Sequence, residues 1–205
     1  MQVLILNGSP RKDGNTQVAL GEMKKIFDEN GVSYTQLDVG MQNIRGCIAC
    51  NQCGKLGKCV FDDGVNQAAR LLSQADGVVV ASPVYYASAN GTLISFLDRL
   101  FYSCQEDLTM KVGASVVCAR RGGCSATFDE LNKYFTISGM PLASSQYWNS
   151  IHGRLPGEAD QDEEGKQTMR ALARNMVFLM KSIALGKEAF GLPEKEPRIS
   201  THYIR

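Results

Sequence analysis

Four cysteines lie close together in the chain, at Cys47, Cys50, Cys53 and Cys59, with the spacing C-x2-C-x2-C-x5-C. A compact set of thiolates suits an iron–sulfur cluster, which is held by four sulfur ligands. Zinc ribbons differ, because a longer stretch separates their two C-x-x-C pairs. Three interpretations stay open: a [4Fe–4S] cluster, reduced or disulfide-forming thiols, and a site for another metal. The three remaining cysteines stand alone and are expected to be packed thiols. They are Cys104, Cys118 and Cys124.

A second segment with chemical potential follows the first apolar run. Between Asn7 and Thr16 the chain is rich in glycine, hydroxyl and amide side chains. A strand that opens into a helix through such a turn presents free N–H groups to an anion, and the Ser9 and Thr16 hydroxyls add to them. The segment matches neither the dinucleotide fingerprint nor the P-loop. It predicts a phosphate site, with helix capping by Asn15 or Thr16 as the alternative.

Two further loops follow apolar runs. The loop from Pro83 to Ala87 carries two aromatic side chains, which suit contact with a flat ring. The loop from Arg120 to Gly123 is cationic and rich in glycine, so it can wrap a ring or a phosphate. Taken singly, the first can merely cover a sheet edge and the second can be a solvated turn. Three such loops at neighbouring strand ends predict one ligand site.

The composition excludes several classes of protein. The 205 residues suit one domain, and 22 basic against 21 acidic residues leave a net charge of +1, which favours neither nucleic acid nor a membrane surface. With only two histidines, His152 and His202 are the sole candidates for a His-based triad. No apolar run approaches the roughly 18 residues of a membrane span. Because the opening run, Val3 to Leu6, is also too short for a signal peptide, we expect a cytoplasmic protein with mostly reduced thiols.

Apolar runs alternate with helical patterns along the chain, which predicts a doubly wound parallel sheet. Ligands of such sheets bind at the carboxyl ends of the strands, where the three loops lie. The last helix is predicted from Asp162 to about Leu185, with an apolar face rich in methionine. Five strands are predicted, at Val3–Leu6, Ser33–Val39, Gly77–Ala81, Lys111–Ala119 and Met140–Ser144.

These motifs, in this order, resemble those of the flavodoxin-like NAD(P)H-dependent FMN reductases, a family that includes the iron–sulfur flavoproteins. The resemblance covers about residues 1–185 and implies an α/β fold with a five-stranded parallel sheet of order 2-1-3-4-5 and helices on both faces. It implies an FMN-binding domain over 1–185, with a Cys-rich insertion at 45–63 and a tail at 186–205. The residues that carry it are Gly8-Ser9-Pro10-Arg11, Gly14-Asn15-Thr16, Ser82-Pro83-Val84-Tyr85-Tyr86, Phe96-Leu97-Asp98-Arg99 and Arg120-Arg121-Gly122-Gly123.

The resemblance also implies which residues hold the cofactor. The FMN phosphate would be bound by Ser9, Arg11, Asn15, Thr16 and Gln17. The isoalloxazine would be lined by Pro83, Val84, Tyr85, Tyr86 and Ala87. The other side would be closed by Arg120, Arg121, Gly122 and Gly123. One departure is Ala87, where relatives often have glycine, which leaves that contact open. Iron–sulfur flavoproteins carry a compact four-Cys motif at this place, which would put a [4Fe–4S] cluster on the four cysteines.

The resemblance implies an FMN-dependent oxidoreductase that takes hydride from NAD(P)H and passes electrons to a flavin, a quinone or another small acceptor. No catalytic side chain is predicted, because the cofactor carries the chemistry. One alternative is an iron–sulfur flavoprotein that carries electrons from ferredoxin through a [4Fe–4S] cluster. Another is a non-enzymatic flavodoxin-fold binding protein with a zinc- or disulfide-stapled loop. An exposed flavin usually needs a partner subunit to complete its pocket, so a homodimer or homotetramer is expected.

Overall fold

A parallel sheet with helices on both faces forms the centre of the computed structural model, which describes residues 1–197, 199–201 and 203. Five parallel strands have the order β2-β1-β3-β5-β6, and the two-residue β4 pairs antiparallel with the end of β3. This confirms the predicted doubly wound order and adds a sixth, short strand. The strands are β1 Gln2–Asn7, β2 Ser33–Asp38, β3 Gly77–Tyr85, β4 Ser88–Ala89, β5 Val112–Ala119 and β6 Ser150–His152.

Within the described residues, five α-helices lie between strands, a sixth follows β6, and two short 3-10 helices lie at Val39–Met41 and Glu158–Gln161. None of the helices in the described ranges is both long and apolar enough to cross a membrane. The α-helices are α1 Asn15–Glu29, α2 Cys53–Leu56, α3 Gly64–Gln74, α4 Gly91–Ser103, α5 Cys124–Ile137 and α6 Glu163–Phe190.

The core lies on both faces of the sheet, because successive strand residues point to opposite sides. In β1, Val3 and Ile5 pack toward α1 and α6, whereas Leu4 and Leu6 pack toward α3, α4 and α5. All four side chains are at most 1% exposed. The methionines of α6 belong to the first of these two layers, as its apolar face predicts. Strands buried on both faces explain why β1 and β3 read as continuous apolar runs.

The edge strand differs from the prediction. The segment Met140–Ser144 makes only one isolated bridge, between Leu142 and Gly113, and the strand proper is β6, which pairs with the carboxyl end of β5. Pro141 has no N–H to donate to a ladder. Farther along, the Asn149 side chain donates to the carbonyl of Ser115 at 3.0 Å, in place of a backbone group. The chain therefore follows β5 in two pieces, and the strand end that faces the ligand site lies at His152.

The last helix extends five residues beyond its predicted end at Leu185 and ends at Phe190. Gly191 follows with a φ of +78° and a ψ of −179°, a conformation that is essentially confined to glycine. The predicted tail therefore begins inside α6. Four of its residues, Arg198, His202, Ile204 and Arg205, lie outside the described residues.

Candidate functional site

A cavity of about 200 Å³ opens at the carboxyl edge of the sheet. The end of β3 and the loops after β1, β5 and β6 contribute to it, as expected for a doubly wound sheet. Eight of the fourteen residues predicted for FMN line this cavity. The lining consists of Ser9, Pro10, Arg11, Gly14, Asn15, Thr16, Pro83, Val84, Tyr85, Cys118, Ala119, Arg120, Gly153 and Arg154.

One end of the cavity is built to receive an anion. Helix α1 starts there, its N-cap is Gly14, and no side chain caps its first amides or adds negative charge to its first turn. The N–H groups of a helix's first turn have no partners within the helix, so they are free to bind a ligand. The Ser9 hydroxyl accepts from the Arg11 amide at 3.2 Å, which holds the turn in place. Asn15 is braced from outside, because its Oδ1 accepts from the amide of Ala159 at 3.0 Å.

The opposite wall is a tight hairpin between β3 and β4. Val84 pairs with Ala89 and Tyr85 pairs with Ser88, so Tyr86 and Ala87 form a two-residue turn. Both turn residues have positive φ, +52° and +60°, which is the geometry of the hairpin turns that favour glycine and asparagine.

Helix α5 holds this hairpin from behind. Glu130 accepts from the Ser88 hydroxyl at 2.9 Å and from the Ala89 amide at 2.8 Å. The turn itself meets Gly123, where an added Cβ would lie 2.8 Å from Val84 Cγ1 and 3.0 Å from Ala87 Cα. The loops after β3 and β5 are therefore in contact, as a shared ligand site requires.

Replacing Ala87 by glycine is expected to stabilise the protein by about 1 kcal/mol, because a Cβ in the left-handed region costs about that much. Ala87 is exposed, so little packing is lost. The matched control is Ala126→Gly on the exposed face of α5, which should destabilise by about 1 kcal/mol. Urea unfolding of both variants measures the difference. Destabilisation by Ala87→Gly would contradict the strained turn.

Six predicted residues do not line the cavity. Gln17 is turned toward β2, where its Oε1 accepts from Gln36 Nε2 at 3.1 Å. Tyr86 is fully exposed at the hairpin tip. Gly123 is used instead for the close approach to the hairpin. The remaining three, Ala87, Arg121 and Gly122, are exposed beside the cavity.

Six lining residues were not predicted from the sequence, and Gly153 and Arg154 are the two that come from an unpredicted strand end. They follow β6, the strand that was predicted some ten residues too early. A Cβ at Gly153 would lie 2.7 Å from the amide nitrogen of Ala159 and from Asn15 Nδ2. The loop after β6 thus touches the start of α1, and only a residue without a side chain fits there.

These features fit an FMN molecule. A phosphate matches the uncapped start of α1, and the adjoining Arg11 adds positive charge. A flat ring matches the part of the cavity that Pro83, Val84 and Tyr85 of β3 line. Burial raises the pKa of the Cys118 thiol to about 12, so this group stays neutral at the cavity wall.

The four clustered cysteines line a second, much smaller cavity, of about 20 Å³. Cys47 and Cys50 are exposed, and Cys53 and Cys59 are half-buried. Ala49 and Asn51, between the first three cysteines, have φ of +52° and +54°. Non-glycine residues in this region carry strain, so the loop is held in a particular shape rather than relaxed.

A buried arginine anchors this loop. Arg99 of α4 is 1% exposed, and its Nη1 and Nη2 donate to the two carboxylate oxygens of Asp63 at 2.6 and 3.0 Å. Its Nε and Nη2 also donate to Cys59 Sγ at 3.3 and 3.2 Å, and its guanidinium lies 4.8 Å from the ring centroid of Phe61. Burial works against its charge, but Asp63 and Cys59 outweigh it, and the net effect raises the pKa of Arg99.

The types of side chain around this cavity suit an iron–sulfur cluster. Four thiols and a cation border one cavity, and the Ser103 hydroxyl, which also borders it, is buried without a hydrogen-bond partner among the described residues. Within the described ranges, no three His, Cys, Asp or Glu side chains are close enough to hold a single metal ion. A cluster of four irons is wider than one ion, so its ligands stand farther apart.

Comparison with known proteins identifies the class to which this fold and cavity belong. Residues 1–153 match the NADPH-dependent FMN reductase family, and the chain belongs to that family. It is therefore an FMN-dependent oxidoreductase.

Two curated relatives are named iron–sulfur flavoproteins. The chain is 30% identical over 193 residues to an iron–sulfur flavoprotein of Methanocaldococcus jannaschii, covering 89% of this chain and 99% of that protein. It is 27% identical over 193 residues to the iron–sulfur flavoprotein of Methanosarcina thermophila, covering 92% and 100%.

Solved structures share the fold. The NAD(P)H:quinone oxidoreductase of Methanothermobacter marburgensis superposes with a TM-score of 0.68 at 16% identity, covering 86% of this chain and 96% of that chain. A flavodoxin of Streptococcus pneumonia gives 0.58 at 15% identity, covering 87% and 99%. At these identities the likeness concerns the flavodoxin-like architecture alone.

Proposed function

We propose that this protein takes hydride from NAD(P)H through bound FMN and delivers the electrons to a quinone, a free flavin or another small acceptor. The observation that carries the proposal is the cavity that four strand ends form, with an anion site at one end and a partly exposed tyrosine at the other. FMN, when bound there, accepts a hydride and passes electrons on.

In this proposal, the residues of the chain bind FMN and orient it. Ser9, Asn15, Thr16 and the first amides of α1 hold the phosphate, with Arg11 and Arg120 adding positive charge. Val84 and Pro83 exclude water from one side of the ring. Tyr85 is 45% exposed at the mouth, which leaves an approach for the nicotinamide and for an acceptor. Arg121 and Arg154, both exposed, supply charge for the anionic donor.

The test is a steady-state assay of the FMN-loaded protein with NADPH or NADH and a soluble quinone. We expect donor oxidation that depends on quinone and is lost when FMN is removed. A charge-reversing variant, Arg11→Glu, should weaken FMN binding without unfolding the chain, because Arg11 is exposed. Neither donor being consumed with any acceptor would contradict the proposal.

The cysteine cavity supports a second candidate, a flavoprotein that carries electrons through a [4Fe–4S] cluster on Cys47, Cys50, Cys53 and Cys59. Its support is the four-thiol cavity with the unpartnered Ser103 hydroxyl, together with the naming of the curated relatives as iron–sulfur flavoproteins. Arg99 would then offset part of the negative charge of the thiolates. In this case the electron donor would be ferredoxin or a similar carrier protein.

Anaerobic preparation followed by iron and sulfide analysis separates the two candidates. With the cluster, we expect about four irons per chain, and their loss in Cys53→Ser. Cys104→Ser is the matched control, since Cys104 does not border this cavity. Absence of iron after anaerobic reconstitution would leave the cysteines as thiols or a disulfide.

Assembly and location follow from the same proposal. The aromatic rings of Tyr86, Tyr147 and Trp148 are exposed, and such rings are enriched where protein surfaces meet. We therefore propose a homodimer or homotetramer in which a partner covers part of the flavin mouth. The location proposed is the cytoplasm. Light scattering of the FMN-loaded protein tests the assembly.

A further inference from the structure

Three side chains outside the proposed flavin and cluster sites form a linked group at the carboxyl edge of the sheet. Cys124 Sγ lies 3.9 Å from Nε2 of His152. The other nitrogen of the same ring, Nδ1, lies 3.4 Å from Oδ2 of Asp162. A thiol, an imidazole and a carboxylate in this order are the parts of an activated nucleophile, its base and the group that orients the base.

Each member of the group sits on a separate rigid element. Cys124 is the first residue of α5, His152 ends β6 opposite Ala119, and Asp162 caps α6. The Asp162 carboxylate is fixed by two backbone amides. Its Oδ1 accepts from Gly165 at 2.9 Å, and its Oδ2 accepts from the amide of His152 at 2.7 Å. The imidazole is therefore held by both its backbone and its ring.

The Cys124 thiol needs a base to take its proton. Burial raises the pKa of its thiol, so the free thiolate is scarce at neutral pH. The adjacent imidazole can take the proton, and the start of the fourteen-residue α5 stabilises the thiolate that remains. Cys124 is only partly buried and His152 is exposed, so a small molecule can reach both.

We propose that Cys124, activated by His152 and positioned by Asp162, is a reactive thiol that exchanges with small disulfides bearing carboxylates. The carboxylate preference rests on charge, since the exposed Arg120 and Arg121 lie four and three residues before Cys124. This site goes beyond the oxidoreductase activity, and Cys124, His152 and Asp162 do not line the flavin cavity.

The exchange needs no reductant other than the Cys124 thiol itself. The Cys124 proton moves to His152 Nε2, and the thiolate attacks one sulfur of the disulfide. A new S–S bond forms to Cys124 as the S–S bond of the incoming disulfide breaks. The departing thiolate takes the proton back from His152. Cys124 is thereby oxidised to a mixed disulfide, and one half of the small molecule is reduced to a thiol.

Alkylation by iodoacetamide, followed peptide by peptide with mass spectrometry, tests the activation. Cys104 is the internal control, because it is also half-buried and burial likewise raises the pKa of its thiol. At neutral pH, Cys124 should react at least about tenfold faster than Cys104. His152→Asn should reduce the Cys124 rate to the level of Cys104. Equal rates in the unaltered chain, or a rate unaffected by His152→Asn, would overturn the proposal.

Oxidised glutathione and the uncharged 2-hydroxyethyl disulfide test the substrate class. Oxidised glutathione should give a mixed disulfide at Cys124 several-fold faster than the uncharged disulfide, and the double variant Arg120→Gln, Arg121→Gln should abolish that preference. Equal rates for the two disulfides would overturn the proposed preference for carboxylates. Thermal melting of His152→Asn confirms that a lost rate reflects chemistry, because the fold itself should survive this exposed substitution.

Discussion

Arg99→Met is expected to lower the free energy of unfolding by about 3 kcal/mol. Methionine keeps the apolar bulk of the side chain but removes a charge that is 1% exposed and bonded to Asp63 and Cys59. The Asp63 carboxylate, whose side chain is 22% exposed, is then left partly buried without its cation. Urea unfolding measures the loss. Lys195→Met is the control, since it breaks an exposed pair with Asp107 and should change the midpoint little.

The same variant should loosen the cysteine loop. Trypsin is expected to cleave after Lys55 and Lys58 faster in Arg99→Met than in the unaltered protein, because Cys59 loses its anchor to α4. Arg99→Lys distinguishes the effect of the positive charge from the effect of the planar guanidinium group. Lysine keeps the charge but cannot reach Asp63 and Cys59 with one planar fork, so cleavage should be intermediate. Stability and cleavage equal to those of the unaltered protein would show that Arg99 does not anchor the loop.

Gly40→Ala is expected to weaken FMN binding at least about 100-fold. A Cβ at Gly40 would lie 2.2 Å from the carbonyl oxygen of Gly8 and 2.5 Å from the carbonyl carbon of Ser9. These are backbone atoms of the turn that precedes α1, so they cannot rotate away, and the anion site must shift.

The control for Gly40→Ala is Gly21→Ala in α1, where an added Cβ meets nothing within 4 Å. It should bind FMN normally and gain about 1 kcal/mol in stability from the better helix former. Quenching of FMN fluorescence gives the dissociation constants, and circular dichroism verifies folding. Gly40→Ala that is folded and binds FMN as tightly as Gly21→Ala would contradict the assigned anion site.

The fold was predictable from the sequence because strands buried on both faces leave continuous apolar runs. The loops at their ends were located for the same reason. The edge strand was not, since β6 has only three residues, and the segment that precedes it along β5 is interrupted by Pro141 and by Asn149, whose side chain replaces a backbone donor. No local pattern encodes that replacement, because its acceptor, Ser115, lies 34 residues away.

The residues of the candidate site likewise divide into those that a local sequence pattern predicts and those that it does not. Residues that act through local turn geometry, such as Ser9 and Asn15, were predicted by their place before a helix. Gly153 was missed because its role is a close approach to Asn15, far away in the chain. Arg99 interrupts an apolar helix face beside Phe96 and Leu100, and that interruption is the signal that could have identified it. Its partner, Asp63, was visible only after folding.

An anaerobic absorbance titration of the FMN-loaded protein with NADPH tests the proposed flavin chemistry most directly. We expect one tightly bound FMN per chain, and bleaching of the visible flavin band by about one equivalent of NADPH or NADH. It also predicts recovery of the band when a quinone is added. A chain that takes up no FMN, or a bound flavin that neither nucleotide bleaches, would contradict it.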